Sequence, residues 1–302
     1  MPSVTSGAAV AQVPPEVPPP PAPSSSSQTQ THTSTTKPPQ PQPPLSPHPP
    51  RIAILLNSYR SRLLPAIRAS YERTIGEACP GAQLAFYEPA NRAGDFPDPA
   101  YFDLIVFGGS NVDPRKSHPW ILDVHAFLRR LVVQHPAKKV LGICWGHQTI
   151  SRVFGGEVVD AKVPEMGVAS INLTEAGRAF FPSAATLGSL RLQQHHRREV
   201  ALAPPAFVHL AAGNQCLLSD SNTVLTFQGH PEKDAETARL RMHDTARWYG
   251  FDSLSDEKAW ARLEAMIMAE HDGPDVWRRV LQWVWEPPVL GTGFAERLSS
   301  RM

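Results

Sequence analysis

The sequence predicts an α/β fold with a mostly parallel central sheet, helices on both faces of that sheet, and a small antiparallel part rich in strands. After residue 50, short apolar runs alternate with longer segments of helical periodicity. This alternation is typical of βαβ units, in which helices cover parallel strands. After residue 156, short strand-like segments follow one another with little helix between them, which predicts the antiparallel part.

The first half of the chain supplies the strands of the predicted parallel sheet. The expected strands are 51–56, 83–87, 103–107 and 140–143, and the expected helices are 60–79 and 119–131. The second helix has Pro119 in its first turn, where proline is well tolerated. Because function gathers at the carboxyl ends of parallel strands, the residues after 107 and after 143 are candidates for a site.

The second half is predicted to be richer in short strands. The expected strands are 157–159, 168–173, 189–193, 207–211, 216–218 and 223–228, with a helix at 234–248 and two helices within 255–285. The last helix carries Trp277, Trp283 and Trp285. Exposed tryptophans favour association, so we expect this face to dock on the core or on another subunit.

Residues 1–50 are predicted to be a disordered tail. They are rich in Pro, Ser and Thr and have few apolar residues other than Ala and Val, so they cannot bury enough surface to offset their ordering entropy. The Pro-rich segment at 14–23 is either a ligand for an SH3-type or WW-type domain or a plain linker. We therefore divide the chain into a tail at 1–50, a main domain at 51–250 and a helical extension at 251–302.

Composition excludes several classes of protein. The formal net charge is +1 and no long basic run occurs, so neither nucleic acid nor an anionic membrane is an expected partner. No apolar segment is long enough to span a bilayer. The 3 cysteines cannot form a disulfide framework, which indicates a reducing compartment and predicts a cytoplasmic protein. No metal site or cofactor motif is predicted, and no P-loop or other ATP-binding motif is present.

Cys144 lies at the apex of a predicted strand–turn–helix unit. The apolar strand 140–143 ends at this cysteine, Gly142 and Gly146 flank it, and a helical pattern follows. This arrangement is typical of a nucleophile elbow, in which a strained turn exposes the reactive side chain. We expect the N-terminus of the following helix to favour the thiolate over the thiol.

Two further segments complete a set of groups for acyl transfer. His230 and Glu232 follow a predicted strand and are separated by one residue, so their side chains point the same way in an extended backbone. Cys144 is the expected nucleophile, His230 the proton carrier and Glu232 the group that orients the imidazole. The N–H groups of Gly109 and Trp145 are the expected oxyanion donors.

The motif at 142–148, GICWGHQ, together with that at 228–232, QGHPE, resembles the class I glutamine amidotransferase family. The resemblance covers residues 51–250, and it is closest to the stand-alone branch that includes plant γ-glutamyl peptidases and fungal amidotransferase-like proteins. It implies a flavodoxin-like catalytic domain, with Cys144, His230 and Glu232 as the triad. It also implies that Gln148 contacts the α-amino and carboxyl end of the substrate.

The segment at 194–200 departs from the family pattern. It is predicted to be a loop similar to the family's H-x-D-x-V segment, but Arg198 stands where aspartate is usual. We expect Arg198 to line the substrate pocket, where its charge favours γ-glutamyl substrates that carry an additional carboxylate; the alternative is that it turns to solvent and Glu199 replaces it. His196 is either a pocket residue or a structural one.

Three functions remain open at the level of sequence. The chain is a hydrolase of γ-glutamyl amides, such as glutamine or a glutathione conjugate, or it is the glutaminase subunit of a synthase whose other chain receives ammonia. The third hypothesis is a non-catalytic interaction protein that uses the Pro-rich tail. An intact set of Cys144, His230 and Glu232 favours the first two.

Overall fold

A computed structural model of the chain describes residues 48–252, 254, 256–289 and 291–294. The predicted disordered tail up to residue 47, with its Pro-rich segment at 14–23, lies outside the described residues. So do the last residues of the predicted helical extension, 295–302.

The described residues form strands and helices in the alternating order that the sequence predicts. The strands are β1 (Arg51–Leu55), β2 (Gln83–Tyr87), β3 (Leu104–Phe107), β4 (Lys139–Ile143), β5 (Glu157–Asn172), β6 (Ser189–Leu202), β7 (Phe207–Ala211), β8 (Cys216–Ser219) and β9 (Val224–Phe227). The helices are α1 (Leu64–Ala78), α2 (Pro119–Gln134), α3 (Trp145–Val153), α4 (Glu175–Phe180), α5 (Ala235–Thr245), α6 (Glu257–Ile267) and α7 (Gly273–Trp283).

The central sheet has the strand order β2-β1-β3-β4-β9-β8-β7. Strands β2, β1, β3, β4 and β9 are parallel, and β8 and β7 add antiparallel pairs at one edge. The side chains of β3, β4 and β9 are fully buried, as expected for central strands covered by helices on both faces. The predicted fold class is therefore confirmed.

Strands β5 and β6 form a separate antiparallel pair that is longer than predicted. The two strands expected at 157–159 and 168–173 are one strand, and the loop expected at 194–200 lies inside β6. The loop prediction is wrong because the polar residues of this segment are strand residues whose partners lie across the pair, as in the register of Asp160 with Arg198. Because these residues of β6 are polar, the sequence shows no apolar run or alternation that would indicate a strand there.

Helices cover both faces of the central sheet. Helices α1 and α7 pack on one face, and α2 and α3 pack on the other. Trp277 and Trp283 are completely buried in the first of these layers, so the expectation that the tryptophan face docks on the core is confirmed. Helix α6 packs through Leu263 and Ile267 on α5 and β5. No helix among the described residues is both long and apolar enough to cross a membrane.

Substitution of Gly146 by alanine tests the tightest helix–strand contact. A Cβ at this position would lie 1.9 Å from the carbonyl oxygen of Phe107, whereas a Cβ at Gly76 in α1 would meet nothing within 4 Å. We expect Gly146→Ala to lower the free energy of unfolding by about 3 kcal/mol or more, since the clash is with backbone. Gly76→Ala is the control and should raise it by about 0.5–1 kcal/mol. Urea unfolding of both variants measures the effect, and equal stability of the two would contradict it.

Candidate active site

The cysteine at the end of β4 has the backbone of a nucleophile elbow. Cys144 has φ 52° and ψ −102°, and α3 begins at the next residue. Glycine is required on both sides: a Cβ at Gly142 would lie 2.9 Å from the Gly146 carbonyl group, and Gly146 itself packs on Phe107. A positive φ at a non-glycine residue is strained backbone, and such strain is concentrated at functional sites.

His230 and Glu232 form a buried pair after β9. The Nδ1 atom of His230 lies 2.7 Å from Oε1 of Glu232. The hydroxyl of Ser70 on α1 donates to the Glu232 carbonyl group at 2.6 Å and accepts from the N–H of Asp234 at 3.1 Å. Asp234 in turn caps α5 by accepting from the N–H of Thr237. Helix α1 thus holds the segment that carries the pair.

The loop after β3 brings the backbone of Gly109 close to Cys144 and His230. The side chains of Asn57 and Ser58 donate to the carbonyl groups of Gly108 and Gly109, at 3.2 and 3.3 Å. A Cβ at Gly109 would lie 3.2 Å from Cε1 of His230 and 3.8 Å from Cβ of Cys144. A Cβ here would make a tight contact with the His230 ring and an ordinary contact with Cys144, so the loop backbone passes directly beside both residues.

Burial keeps Cys144 and His230 neutral in the resting site. Burial raises the pKa of the Cys144 thiol to about 11, against the opposing effects of the Lys233 charge and the N–H of Trp145. Burial and then the Lys233 charge lower the pKa of His230 to about 4, although Glu232 opposes this shift. The expectation of a favoured thiolate is therefore wrong, because desolvation outweighs the helix N-terminus.

Cys144 borders two neighbouring spaces. The inner cavity has a volume of about 40 Å³, and its walls include His230, Glu232, Lys233 and Arg241. The outer pocket has a volume of about 230 Å³, and its lining includes Gln148, His196, Arg197, Arg198, Trp248 and Tyr249. Cys144, Ser110, Asn111 and His195 line both spaces. The thiol therefore lies where the two meet.

Comparison with known proteins shows to which family this chain belongs. The family described as glutamine amidotransferase class-I matches residues 99–246. A glutamine amidotransferase-like protein of Penicillium rubens is 35% identical over 243 residues, which are 78% of this chain and 97% of that protein. The chain belongs to the class I glutamine amidotransferase family.

A further relative and a solved structure are also similar to this chain. The γ-glutamyl peptidase 3 of Arabidopsis thaliana is 35% identical over 153 residues, which are 47% of this chain and 61% of that protein. The crystal structure of a glutamine amidotransferase from Thermotoga maritima has a TM-score of 0.57 at 16% identity and covers 79% of this chain and 100% of the other. At that identity the likeness supports the fold alone.

Gln148 and His196, two residues that the family resemblance singles out, both line the outer pocket. Nε2 of Gln148 donates to the carbonyl oxygen of Arg198 at 2.8 Å and to Oε1 of Gln228 at 3.0 Å. His196 has Nε2 2.9 Å from Glu165 and Nδ1 3.1 Å from the Arg198 carbonyl oxygen. Both ring nitrogens of His196 contact other residues of the protein. Of the two roles expected for His196, this favours the structural role over that of a pocket residue.

Arg198, which replaces the usual aspartate of the family, belongs to a cluster of alternating charges. Its Nε lies 3.2 Å from Asp113 and 3.6 Å from Asp160, and its side chain is 20% exposed. Arg115 pairs with the same two carboxylates, at 2.7 and 2.9 Å. The guanidinium lines the outer pocket without turning fully to solvent, and Asp113 and Asp160 offset much of its charge.

Sequence analysis missed Lys233 and Arg241 in the wall of the inner cavity. Lys233 directly follows the His-Pro-Glu motif, and this adjacency was the available signal. Arg241 lies four residues after Thr237 in α5, a spacing that places both on one helix face. Within the described residues, no group of three or more His, Cys, Asp or Glu side chains is arranged to hold a metal ion.

The pH dependence of alkylation tests the protonation of Cys144. With a thiol pKa of about 11, the thiolate fraction rises with pH throughout the neutral and mildly alkaline range. Iodoacetamide should modify the Cys144 peptide about tenfold faster for each unit of pH between about 7 and about 10. Mass spectrometry of the digested protein gives the rate, and a small-molecule thiol in the same mixture is the reference. A rate already constant at neutral pH would show a stable thiolate instead.

Proposed function

We propose that the chain hydrolyses a γ-glutamyl amide bond, in glutamine or a γ-glutamyl peptide such as a glutathione conjugate, through a thioester on Cys144. The observation that carries the proposal is the state of His230. Its Nδ1 is held by Glu232, while its Nε2 is buried, has no hydrogen-bond partner among the described residues and belongs to the cavity that Cys144 also lines. A nitrogen in this state is suited to take a proton from the thiol and return it.

In the first half of the reaction, the sulfur of Cys144 attacks the γ-carbonyl carbon while its proton passes to Nε2 of His230. A neutral pair suits this step, since the proton leaves the thiol only as the carbon–sulfur bond forms. The positive charge on the imidazole is stabilised by Glu232. The same proton then goes to the leaving nitrogen, and the carbon–nitrogen bond breaks to give the thioester.

In the second half, a water molecule attacks the thioester carbon and gives its proton to His230. The carbon–sulfur bond breaks, and the proton returns to the sulfur as glutamate leaves. Both tetrahedral intermediates carry an oxyanion, for which we assign the N–H groups of Gly109 and Trp145. The N–H of Trp145 has no partner inside α3 because it belongs to the first turn. Loss of one such donor typically costs about 3–4 kcal/mol in kcat.

The outer pocket is the proposed site of the glutamyl group. Gln148 uses its amide hydrogens within the protein, which leaves its carbonyl oxygen to accept from the substrate's α-ammonium. Arg198 is the proposed partner of the α-carboxylate, because its guanidinium lines this pocket. Trp248 and Tyr249 supply the apolar part of the wall.

A second candidate function is that of a glutaminase subunit. The family match supports it, since a glutamine-hydrolysing GMP synthase component of Sulfolobus acidocaldarius is 33% identical over 138 residues, or 43% of this chain. In that function the ammonia formed at Cys144 would pass to a separate synthase chain. The third hypothesis, a non-catalytic interaction protein, rests on the segment at 14–23, which lies outside the described residues.

Activity of the isolated protein distinguishes these functions. We expect hydrolysis of at least one of glutamine, glutathione and a glutathione conjugate, measured as released glutamate. Cys144→Ser should abolish it, whereas Cys79→Ser at the end of α1 should retain it. A protein inert on all three until a synthase chain is added would favour the glutaminase subunit.

Substitution of Glu232 by glutamine tests whether Glu232 stabilises the charged form of His230 during the reaction. The glutamine keeps the size of the side chain but cannot stabilise a charged imidazole, so kcat should fall by roughly 10²–10⁴-fold. Glu236→Gln, on the exposed surface of α5, is the matched control and should keep the activity of the wild type. Steady-state kinetics on the best substrate of the panel measure both, and a kcat for Glu232→Gln within twofold of the control would contradict the assigned role.

A further inference from the structure

Lys233 is a buried cation that the proposed reaction does not use. Its side chain lines the inner cavity, and only 6% of the residue is exposed. The ammonium nitrogen makes no hydrogen bond or ion pair with another described residue, but it keeps some contact with solvent and is attracted by the charge of Glu232. Burial lowers the pKa of Lys233 to about 8, so the group is still mostly charged at neutral pH.

Two further groups in the cavity wall can donate hydrogen bonds to an anion, the guanidinium of Arg241 and the hydroxyl of Tyr71. Arg241, with 7% exposure, lies in the same wall and is held there by Asn111 and by Asp244. The hydroxyl of Tyr71 is buried in this wall without a hydrogen-bond partner among the described residues. Because Arg241 is paired with Asp244, Lys233 is the cation in this wall that has no ion-pair partner among the described residues.

A largely buried cation without an ion-pair partner destabilises a folded protein, because the protein replaces only part of the hydration that the charge has lost. Such a group persists where it serves function. The cavity volume of about 40 Å³ is room for about three water-sized groups. A carboxylate is small enough to enter this space, and its charge is opposite to that of Lys233.

The chemistry of the reaction decides which part of the substrate enters this cavity. His230 must deliver its proton to the leaving nitrogen, and His230 lines the inner cavity but not the outer pocket. The leaving group therefore lies on the side of Lys233. The glutamyl group then occupies the outer pocket, with Gln148 and Arg198.

We propose that Lys233, assisted by Arg241 and the hydroxyl of Tyr71, binds a carboxylate on the leaving group. The inference rests on the proposed γ-glutamyl hydrolysis and narrows its substrates to γ-glutamyl amino acids and peptides in preference to glutamine, whose leaving group is ammonia. It moves the recognition of the additional carboxylate, which the sequence suggested for Arg198 in the outer pocket, to Lys233 in the inner cavity. Arg198 lines the outer pocket, where it is the proposed partner of the α-carboxylate, whereas Lys233 lines the inner cavity, on the side of the leaving group.

A pair of substrates that differ only in that carboxylate tests the inference. These are γ-glutamylglycine and γ-glutamylglycinamide, which share the glutamyl group and the scissile bond. The wild type should prefer the acid over the amide by roughly 10- to 100-fold in kcat/KM, the usual range for a hydrogen bond to a charged group. Lys233→Met should remove most of this preference. Lys233→Gln, which keeps a polar side chain, should do the same and serves as the second variant in case the methionine disturbs the fold.

Arg198→Asp is the matched control, because it changes charge in the outer pocket. Its kcat/KM values for acid and amide should change together, so that their ratio stays that of the wild type. Loss of the ratio in Arg198→Asp with its retention in Lys233→Met would overturn the proposal in favour of Arg198. Equal loss of both activities in Lys233→Met would overturn it as well, since Lys233 would then act on the thiol.

The wild type alone separates failure of the inference from failure of the proposed function. Hydrolysis of both substrates with equal kcat/KM leaves γ-glutamyl hydrolysis standing and overturns the leaving-group site. Hydrolysis of neither, and of no other γ-glutamyl compound, overturns both. An independent readout is stability: Lys233→Met should raise the Tm, because an unpaired buried charge is replaced by an apolar chain of similar length. A lowered Tm would mean that the ammonium is a structural element and not a binding group.

Discussion

The close packing of α3 on the end of β3 positions the groups around the thiol. The helix approaches so closely at Gly146 that a Cβ there would lie 1.9 Å from the carbonyl oxygen of Phe107. This approach forces the chain to turn within one residue, which is why Cys144 has a φ of 52°. Since β3 and β9 lie on either side of β4, the segments that follow them bring Gly109 and His230 to the same edge of the sheet.

Burial determines the chemistry at that edge. The same desolvation that raises the pKa of Cys144 lowers that of His230, so the resting site holds a neutral thiol beside a neutral imidazole. The proposed catalysis then depends on proton transfer during bond formation, with Glu232 placed to stabilise the charge that develops. Lys233 opposes a positive charge on His230, so its position carries a cost that a bound carboxylate would offset.

The fold and the proposed catalytic groups were largely predictable because their signals are local. Buried central strands are short apolar runs, and a cysteine between two glycines at a strand end indicates an elbow even before any family is considered. The extent of β6 was not predictable, since its polar residues are paired across the strands, as His196 is with Glu165. The protonation of Cys144 was misjudged because a sequence shows the helix after the cysteine but not the layers that bury it.

The pairing and burial of the charged side chains around the thiol were the least predictable features of the site. Arg198 departs from the family motif, yet its partners Asp113 and Asp160 are distant in sequence and meet it only in the folded chain. Lys233 is adjacent to the motif, but its burial follows from the packing of α1 and α5 around the end of β9. The pairing of Arg198 and the burial of Lys233 are therefore tertiary properties, which the sequence alone does not show.

Trapping of the thioester tests the central claim most directly. The protein is mixed with an excess of a γ-glutamyl substrate, quenched with acid during turnover, digested and examined by mass spectrometry. The proposed reaction predicts a glutamyl group on the peptide that contains Cys144, present in the wild type and absent in Cys144→Ser. Turnover without any such adduct, or an adduct on Cys79 or Cys216 that persists in Cys144→Ser, would contradict it.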